Sequence, residues 1–346
     1  MPDDRVVDAA RLNALLRARH PDVEVAHVDV LGAHEGSASR LRLSVEYEPG
    51  RSAGLPSTMF LKRNLARFEF PAEMYSTEVR LYRDLLPAMA IEHPAVYAIE
   101  ADRDELEFTI VMEDIGSRAG ARLGIATTPA TPDEVASLLR TLASMHVAWW
   151  GGDRLDREAP WLTDAVVNAP MRFWREIGPR LSHRHLQSGH RAELVDADRW
   201  PEASLWPAFD RLCAANVEGP HTLLHGDVHA GNVYYVAGGD GGLLDWQLML
   251  RGSWALDVTY ILITALTTDD RRAHESALLR EYLDRLGELA PTWDEAWLRY
   301  RQNVLYGVAM WLITPNGVHD DDVQDVNLVR CLAAGEDLDT LGALSP

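Results

Sequence analysis

Along the first third of the chain, apolar and polar positions alternate in short runs at residues 23–31, 41–47 and 58–62, separated by Gly, Ser and Pro. That two-residue period predicts strands. A helix is expected before them at 8–19 and another after them at 72–86, where Met74, Leu81 and Leu85 share the inward face and Pro87 ends the run. Residues 95–100 and 107–112 read as two further strands. Beyond Gly116 the period lengthens. Thr131, Pro132, Asp133 and Glu134 open a helix whose Val135, Leu138, Leu139, Leu142, Met145 and Trp149 recur at helical spacing as far as Trp150. More helices are expected around Arg172 and over 206–216, 256–266, 273–286 and 295–312. No internal repeat is found, and the glycine-rich turn at 238–242 is the one biased stretch. The pattern predicts an α+β chain in two domains, a small β-rich part at 1–115 and a larger, mainly helical part at 116–346, with a cleft between them.

Composition narrows the function classes. A chain of 346 residues, 47% hydrophobic and 25% charged, can bury a large core. Asp3, Asp4, Arg5, Asp8 and Arg11 interrupt the opening stretch, which therefore lacks the apolar run of a signal peptide, and no later stretch reaches membrane-spanning length without charge. No membrane partner is expected. Cys213 and Cys331 stand far apart without a second pair, which argues against a disulfide framework or a cysteine zinc site and for a cytoplasmic setting. The net charge of -20, with no block of Lys and Arg to offset it, predicts no nucleic-acid partner. The same acidity would draw a cationic substrate if focused in a cleft, or would be a plain solvated surface.

The chemistry concentrates in two segments, TLLHGDVHAGNVYY at 222–235 and GLLDWQ at 242–247. Asp227 follows an apolar run, Asn232 stands five positions later, and Asp245 eighteen positions beyond Asp227. Phosphoryl transfer needs a carboxylate to orient and deprotonate an attacking hydroxyl, and oxygen ligands for magnesium near the phosphates. These three residues can supply both. His225 and His229 have the i, i+4 spacing of a zinc pair, but Gly226 and Gly231 argue against a continuous helix.

The HGDxHxxN segment followed by Asp-aromatic-Gln resembles the motifs of aminoglycoside phosphotransferases, choline kinases and ecdysteroid-kinase-like proteins. The resemblance implies a protein-kinase-like two-lobed fold. It further implies Asp227 as catalytic base, Asn232 and Asp245 as magnesium ligands, and His225 and His229 as residues that shape the catalytic loop. Gln247 stands where many relatives have Glu and those resembling ecdysteroid kinases commonly have Gln. Upstream, Lys62 in TMFLKR and Glu78, sixteen residues on, match the strand lysine that grips the α- and β-phosphates and the helix glutamate that orients it. They should form an ion pair, with Glu73 the competing partner. Taken alone, they read as an exposed strand end and a solvated helix charge. FTIVMEDI at 108–115 resembles the strand and hinge that receive adenine, which implies Met112, Glu113 and Ile115 as nucleotide contacts. A phosphate loop is expected over 32–40, with Gly36 and Ser37 at its centre, although a plain hairpin would look the same. RGSWALDVTYIL at 251–262 resembles the segment that follows the metal aspartate, with Asp257 a brace for the catalytic loop, while His146 reads as a satisfied core histidine.

HGD in place of HRD, without DFG or APE after it, favours a small-molecule acceptor over a protein. The expected activity is ATP- and magnesium-dependent phosphorylation of a hydroxyl on a small molecule. Residues 151–219 and 293–346 should build the acceptor pocket, with a minority of their aromatic residues in contact with substrate. DWQ and the segment at 251–262 favour a steroid or lipid-like alcohol, while the acidity favours an aminoglycoside- or choline-like cation. A non-catalytic nucleotide-binding module and a protein kinase are the rival classes.

Overall fold

The computed structural model describes residues 7–35, 38–64 and 70–345, so Gly36 and Ser37 lie outside the described residues. Two compact units arise, one from the chain up to Ala88 together with His93–Arg122, the other from Met89–Glu92 together with Leu123 onward.

In the first unit Asp8 accepts the Arg11 N–H at 2.8 Å and so caps α1 (Ala9–Leu16). The helix buries Leu12, Leu15 and Leu16 in a core shared with the sheet residues Val25, Leu41, Leu43, Val45, Met59, Leu61, Ala98 and Val111. The strands are β1 (Val25–Glu35), β2 (Ser39–Tyr47), β3 (Thr58–Asn64), β4 (Val96–Ala101) and β5 (Phe108–Glu113), antiparallel in the order β1-β2-β3-β5-β4. Alternation is clearest in β2, where Leu41, Leu43 and Val45 point inward. The strand β1 runs further than its hydrophobic run suggests: its pairing continues to Glu35 opposite Ser39. Six of the nine positions of the expected phosphate loop, Gly32 to Glu35 in β1 with Ser39 and Arg40 in β2, are therefore strand.

The helix expected at 72–86 is divided. α2 (Glu73–Arg80) passes into a π-helical turn over Leu81–Leu85, and the Leu86 N–H reaches back five residues to the Leu81 carbonyl. Pro87, which has no N–H to continue the ladder, follows immediately.

The chain enters the second unit through β6 (Ala121–Leu123). α3 (Pro132–Ala148) starts from a capping box in which Thr131 and Glu134 satisfy each other's backbone N–H groups. After it come α4 (Gly152–Glu158), α5 (Ala169–Gln187), α6 (Arg191–Leu194) and α7 (Glu202–Ala215). The last of these begins four residues before its expected start, with Pro207 carried inside it. Four short strands then carry the motif segments, with β7 (Thr222–Leu224) pairing with β10 (Leu250–Gly252), and β8 (Val233–Val236) with β9 (Gly242–Leu243). α8 (Ala255–Ala265) is buried along its whole length and packs against α10 (Trp293–Ile313). α9 (Thr268–Leu286) lies against α3, and α11 (Asp321–Asp337) and α12 (Thr340–Ala343) close the chain. Among the described residues no helix is long and apolar enough to cross a membrane.

Candidate active site

The strand β7 delivers the chain to His225, and from there the backbone is fastened from three helices. Asp257, in the first turn of α8 and wholly buried, accepts the N–H groups of His225 at 2.8 Å and Gly226 at 2.9 Å. Behind it His146 of α3 receives the Tyr282 hydroxyl on Nδ1 at 2.7 Å, which leaves Nε2 as the donor 3.3 Å from the Asp257 carboxylate. From α10 the Tyr306 hydroxyl donates to the Gly226 carbonyl at 2.7 Å. Burial, then the Asp227 and Asp257 charges, push the Tyr306 phenol well up, so it remains a donor. Gly226 itself has φ +81°, and a Cβ placed there would stand 2.0 Å from the Leu248 carbonyl oxygen. Backbone strain and collision together predict that Gly226→Ala loses about 2–4 kcal/mol of stability, checked by denaturant unfolding. An unchanged midpoint would contradict this close approach.

Both ring nitrogens of His225 are spent within the fold. Nδ1 accepts the Asp227 N–H at 3.2 Å and Nε2 donates to the Leu244 carbonyl at 2.9 Å, so His225 cannot serve as half of a zinc pair. Among the described residues no group of three or more His, Cys, Asp or Glu side chains could hold a metal ion. The five-residue spacing from Asp227 to Asn232 now has a cause. His229 caps a single 3-10 turn over Ala230–Asn232, its Nδ1 accepting the Gly231 N–H at 3.0 Å, and the turn brings Asn232 back over the loop. Asn232 Nδ2 then donates to the Asp227 carbonyl at 3.1 Å and to its carboxylate Oδ2 at 2.9 Å. With the amide nitrogen committed, the Asn232 oxygen faces the other way.

Asp245 follows β9, one residue beyond a backbone contact with this loop. The Leu244 N–H donates to the Asn232 carbonyl at 2.8 Å, and the next residue, Asp245, turns in the left-handed region at φ 63°, ψ 72°. That conformation costs a non-glycine residue roughly 1–2 kcal/mol. Two hard oxygen donors, one neutral and one anionic, suit magnesium, which takes one or two side chains and completes its shell with water and phosphate. Gln247 is buried one turn beyond.

In the first unit Lys62 is no exposed strand end. It lies within β3, opposite Ile110, 3% exposed, with Nζ 2.6 Å from the Glu78 carboxylate of α2, itself 1% exposed. Glu73 is turned to solvent. Desolvating two charges offsets most of what their attraction returns, so stability alone is a weak reason for such a pair.

With this geometry in place, the model of the phosphotransferase enzyme family matches residues 30–301. The chain belongs to that family. No curated protein matches it. The fold of this phosphotransferase is shared with choline kinase LicA from Streptococcus pneumoniae, at 14% identity, TM-score 0.54, over 91% of this chain and 94% of that one. It is shared too with a spectinomycin phosphotransferase solved with ADP and spectinomycin (13%, TM-score 0.56, 98% and 100%) and with an aminoglycoside 2''-phosphotransferase solved with GDP and kanamycin (13%, TM-score 0.51, 87% and 89%). It is the kinase-like α+β fold, β-rich at the N-terminal side and helical at the C-terminal side.

In the phosphotransferase the hinge candidates divide by what their backbones are free to do. Met112 is buried within β5, paired on one side with Phe60 and on the other with Val96. The Glu113 N–H donates to the Ala95 carbonyl at 2.8 Å, and its carboxylate takes Arg118 at 2.7 Å, which holds it below the usual carboxylate range. Ile115 opens a 3-10 turn, so its N–H has no acceptor within that turn. Sequence reasoning missed Tyr306 and Tyr282, and it missed the ring cluster around His229 formed by Tyr260, Trp311 and His319. Tyrosines inside apolar helices look like core, and only the partner of the hydroxyl distinguishes them.

Proposed function

We propose that this phosphotransferase transfers the γ-phosphoryl group of ATP, with magnesium, to a hydroxyl of a small molecule, with Asp227 as the general base. The observation that supports the reading is the Asn232 amide, which bonds the Asp227 carboxylate through its nitrogen and so keeps for its oxygen the role of a ligand that would hold magnesium. Asp227 orients the acceptor hydroxyl and takes its proton as the oxygen attacks phosphorus. Asn232 and Asp245 would hold the magnesium, which supplies charge neutralisation at the phosphate oxygens when bound. Lys62, held by Glu78, grips the phosphates, and the Ile115 N–H with the Glu113 carbonyl receives the base of the nucleotide. In this reading residues 1–115 serve the nucleotide and 116–346 serve catalysis and the acceptor.

For the acceptor we favour a hydroxylated molecule with a large apolar surface, of the steroid or lipid-like kind. Trp149, Trp200, Trp206, Trp246, Trp254 and Trp311 are core, whereas Trp161, Phe173, Trp174 and Trp297, within the two segments expected to line the pocket, are partly exposed. Partly exposed rings offer contact area to an apolar ligand.

The test is ATP consumption against a library of hydroxylated compounds, with and without magnesium. Turnover that requires both is expected. Asp245→Ala should weaken magnesium-dependent ATP binding and lower turnover by about a hundred- to a thousandfold, the scale of losing a charge-stabilising contact in the transition state. ATP binding that ignores magnesium, or survives this substitution unchanged, would sink the metal assignment.

A further inference from the structure

Around His229, whose ring reaches Asp227, stand two buried aromatic side chains whose polar hydrogens the reaction as described leaves unused. Tyr260 of α8 and Trp311 of α10 are each 2% exposed. The His229 ring packs edge-on against both, with centroids 6.0 Å from Tyr260 and 5.2 Å from Trp311, and its Nε2 lies 3.8 Å from Asp227 Oδ2. Because His229 Nδ1 accepts the Gly231 N–H, Nε2 carries the ring proton. The Trp311 indole N–H is buried and makes no hydrogen bond among the described residues. It leans toward the Tyr260 oxygen without satisfying itself there. Burial, then the Asp227 charge, push the Tyr260 phenol well up, so it stays an O–H donor near that carboxylate. Trp149, Trp200 and Trp246 also bury an N–H without a partner, but of these four rings Trp311 is the one packed on His229.

A buried donor without an acceptor costs stability, and a site that keeps the Trp311 N–H in that state is arranged for a ligand that supplies the acceptor. The charge of that ligand group follows from its surroundings. A cation would face donors, and an anion would sit beside the Asp227 carboxylate. A neutral oxygen meets neither objection. We propose that Tyr260 and Trp311 form an oxygen subsite beside Asp227, which selects acceptors carrying a second hydroxyl or a carbonyl close to the reacting hydroxyl, as in a vicinal diol. The subsite rests on the reading of Asp227 as the base that receives the acceptor. It adds a polar requirement to an otherwise apolar acceptor, and His319, 5.3 Å from Trp311, stands partly exposed at its rim.

The experiment uses trans-1,2-cyclohexanediol and cyclohexanol as matched probes on the full chain with ATP and magnesium. In protein labelled with 15N at the indoles, the Trp311 Nε1–H resonance is identified by its loss in Trp311→Phe. It should move on titration with the diol and stay in place with the mono-alcohol. In turnover, kcat/KM should favour the diol by about tenfold, the worth of one to two neutral hydrogen bonds, and Tyr260→Phe should bring the ratio near unity. A thermal midpoint close to the parent's establishes that Tyr260→Phe is folded. A resonance unmoved by the diol, or a preference that persists in folded Tyr260→Phe, overturns the subsite. Turnover of both probes without a resonance shift overturns the subsite and leaves the phosphotransferase reading standing. A diol-specific shift in a protein that never consumes ATP supports the subsite as a binding site and sinks the catalytic reading.

Discussion

Asp227→Asn is expected to reduce phosphoryl transfer by about 10²–10⁴-fold, the range that a positioned general base contributes. The replacement keeps the size and shape of the side chain and an oxygen that can accept from Asn232, so the loop keeps its course. What it loses is the carboxylate that, in the proposed function, takes a proton from the acceptor hydroxyl. Nucleotide affinity should stay within a few fold, because the proposed base acts on the acceptor and not on ATP. Steady-state turnover together with equilibrium ATP binding separates the two effects. A folded variant with near-parental turnover would remove Asp227 from the mechanism.

Asp257→Ala is expected to cost about 3–5 kcal/mol of stability and most of the activity, although Asp257 touches no reactant. Its carboxylate accepts two backbone N–H groups and faces the His146 Nε2, all at a fully buried position. Truncation leaves those donors without an acceptor in a place water does not reach. For a unit of this size that loss lowers the thermal midpoint by about ten degrees or more. Calorimetry reads the stability, and turnover well below the melting transition reads the activity. A variant that loses stability but keeps full kcat at low temperature would show that the loop holds its course without the brace.

Much of the site could be read from the residues because its chemistry is local. Asp227, Asn232 and Asp245 are polar residues at the ends of apolar runs, and the turn capped by His229 returns Asn232 to Asp227 within five positions. Asp257 was legible through the likeness of 251–262 to the family segment that follows the metal aspartate. The ring cluster was not, since Tyr260, Trp311 and His229 come from three elements and nothing in their spacing announces the meeting. α11 escaped for a different reason. Its inward face carries Gln324, Asn327 and Arg330, so the apolar stripe is broken; each bonds a backbone carbonyl, with Arg330 reaching Ala126 at 2.9 Å and Thr264 at 2.6 Å. Polar groups satisfied in this way are invisible to a hydrophobic period. The ion pair of Lys62 and Glu78 lies between these cases, legible as types in order but not as a buried contact.

The fastening of Gly226 also bears on how such a protein can change its substrate over evolutionary time. The bonds that hold this peptide come from His146 in α3 through Asp257, from Asp257 in α8 and from Tyr306 in α10. These are core positions, where substitution is punished by misfolding before selection on activity can act. The partly exposed side chains of 151–219, such as Trp161, Phe173 and Trp174, lie outside both this fastening and the core, so a lineage can rewrite them one mutation at a time while the catalytic loop is inherited intact. Descendants should therefore differ in what they phosphorylate far sooner than in how they phosphorylate it.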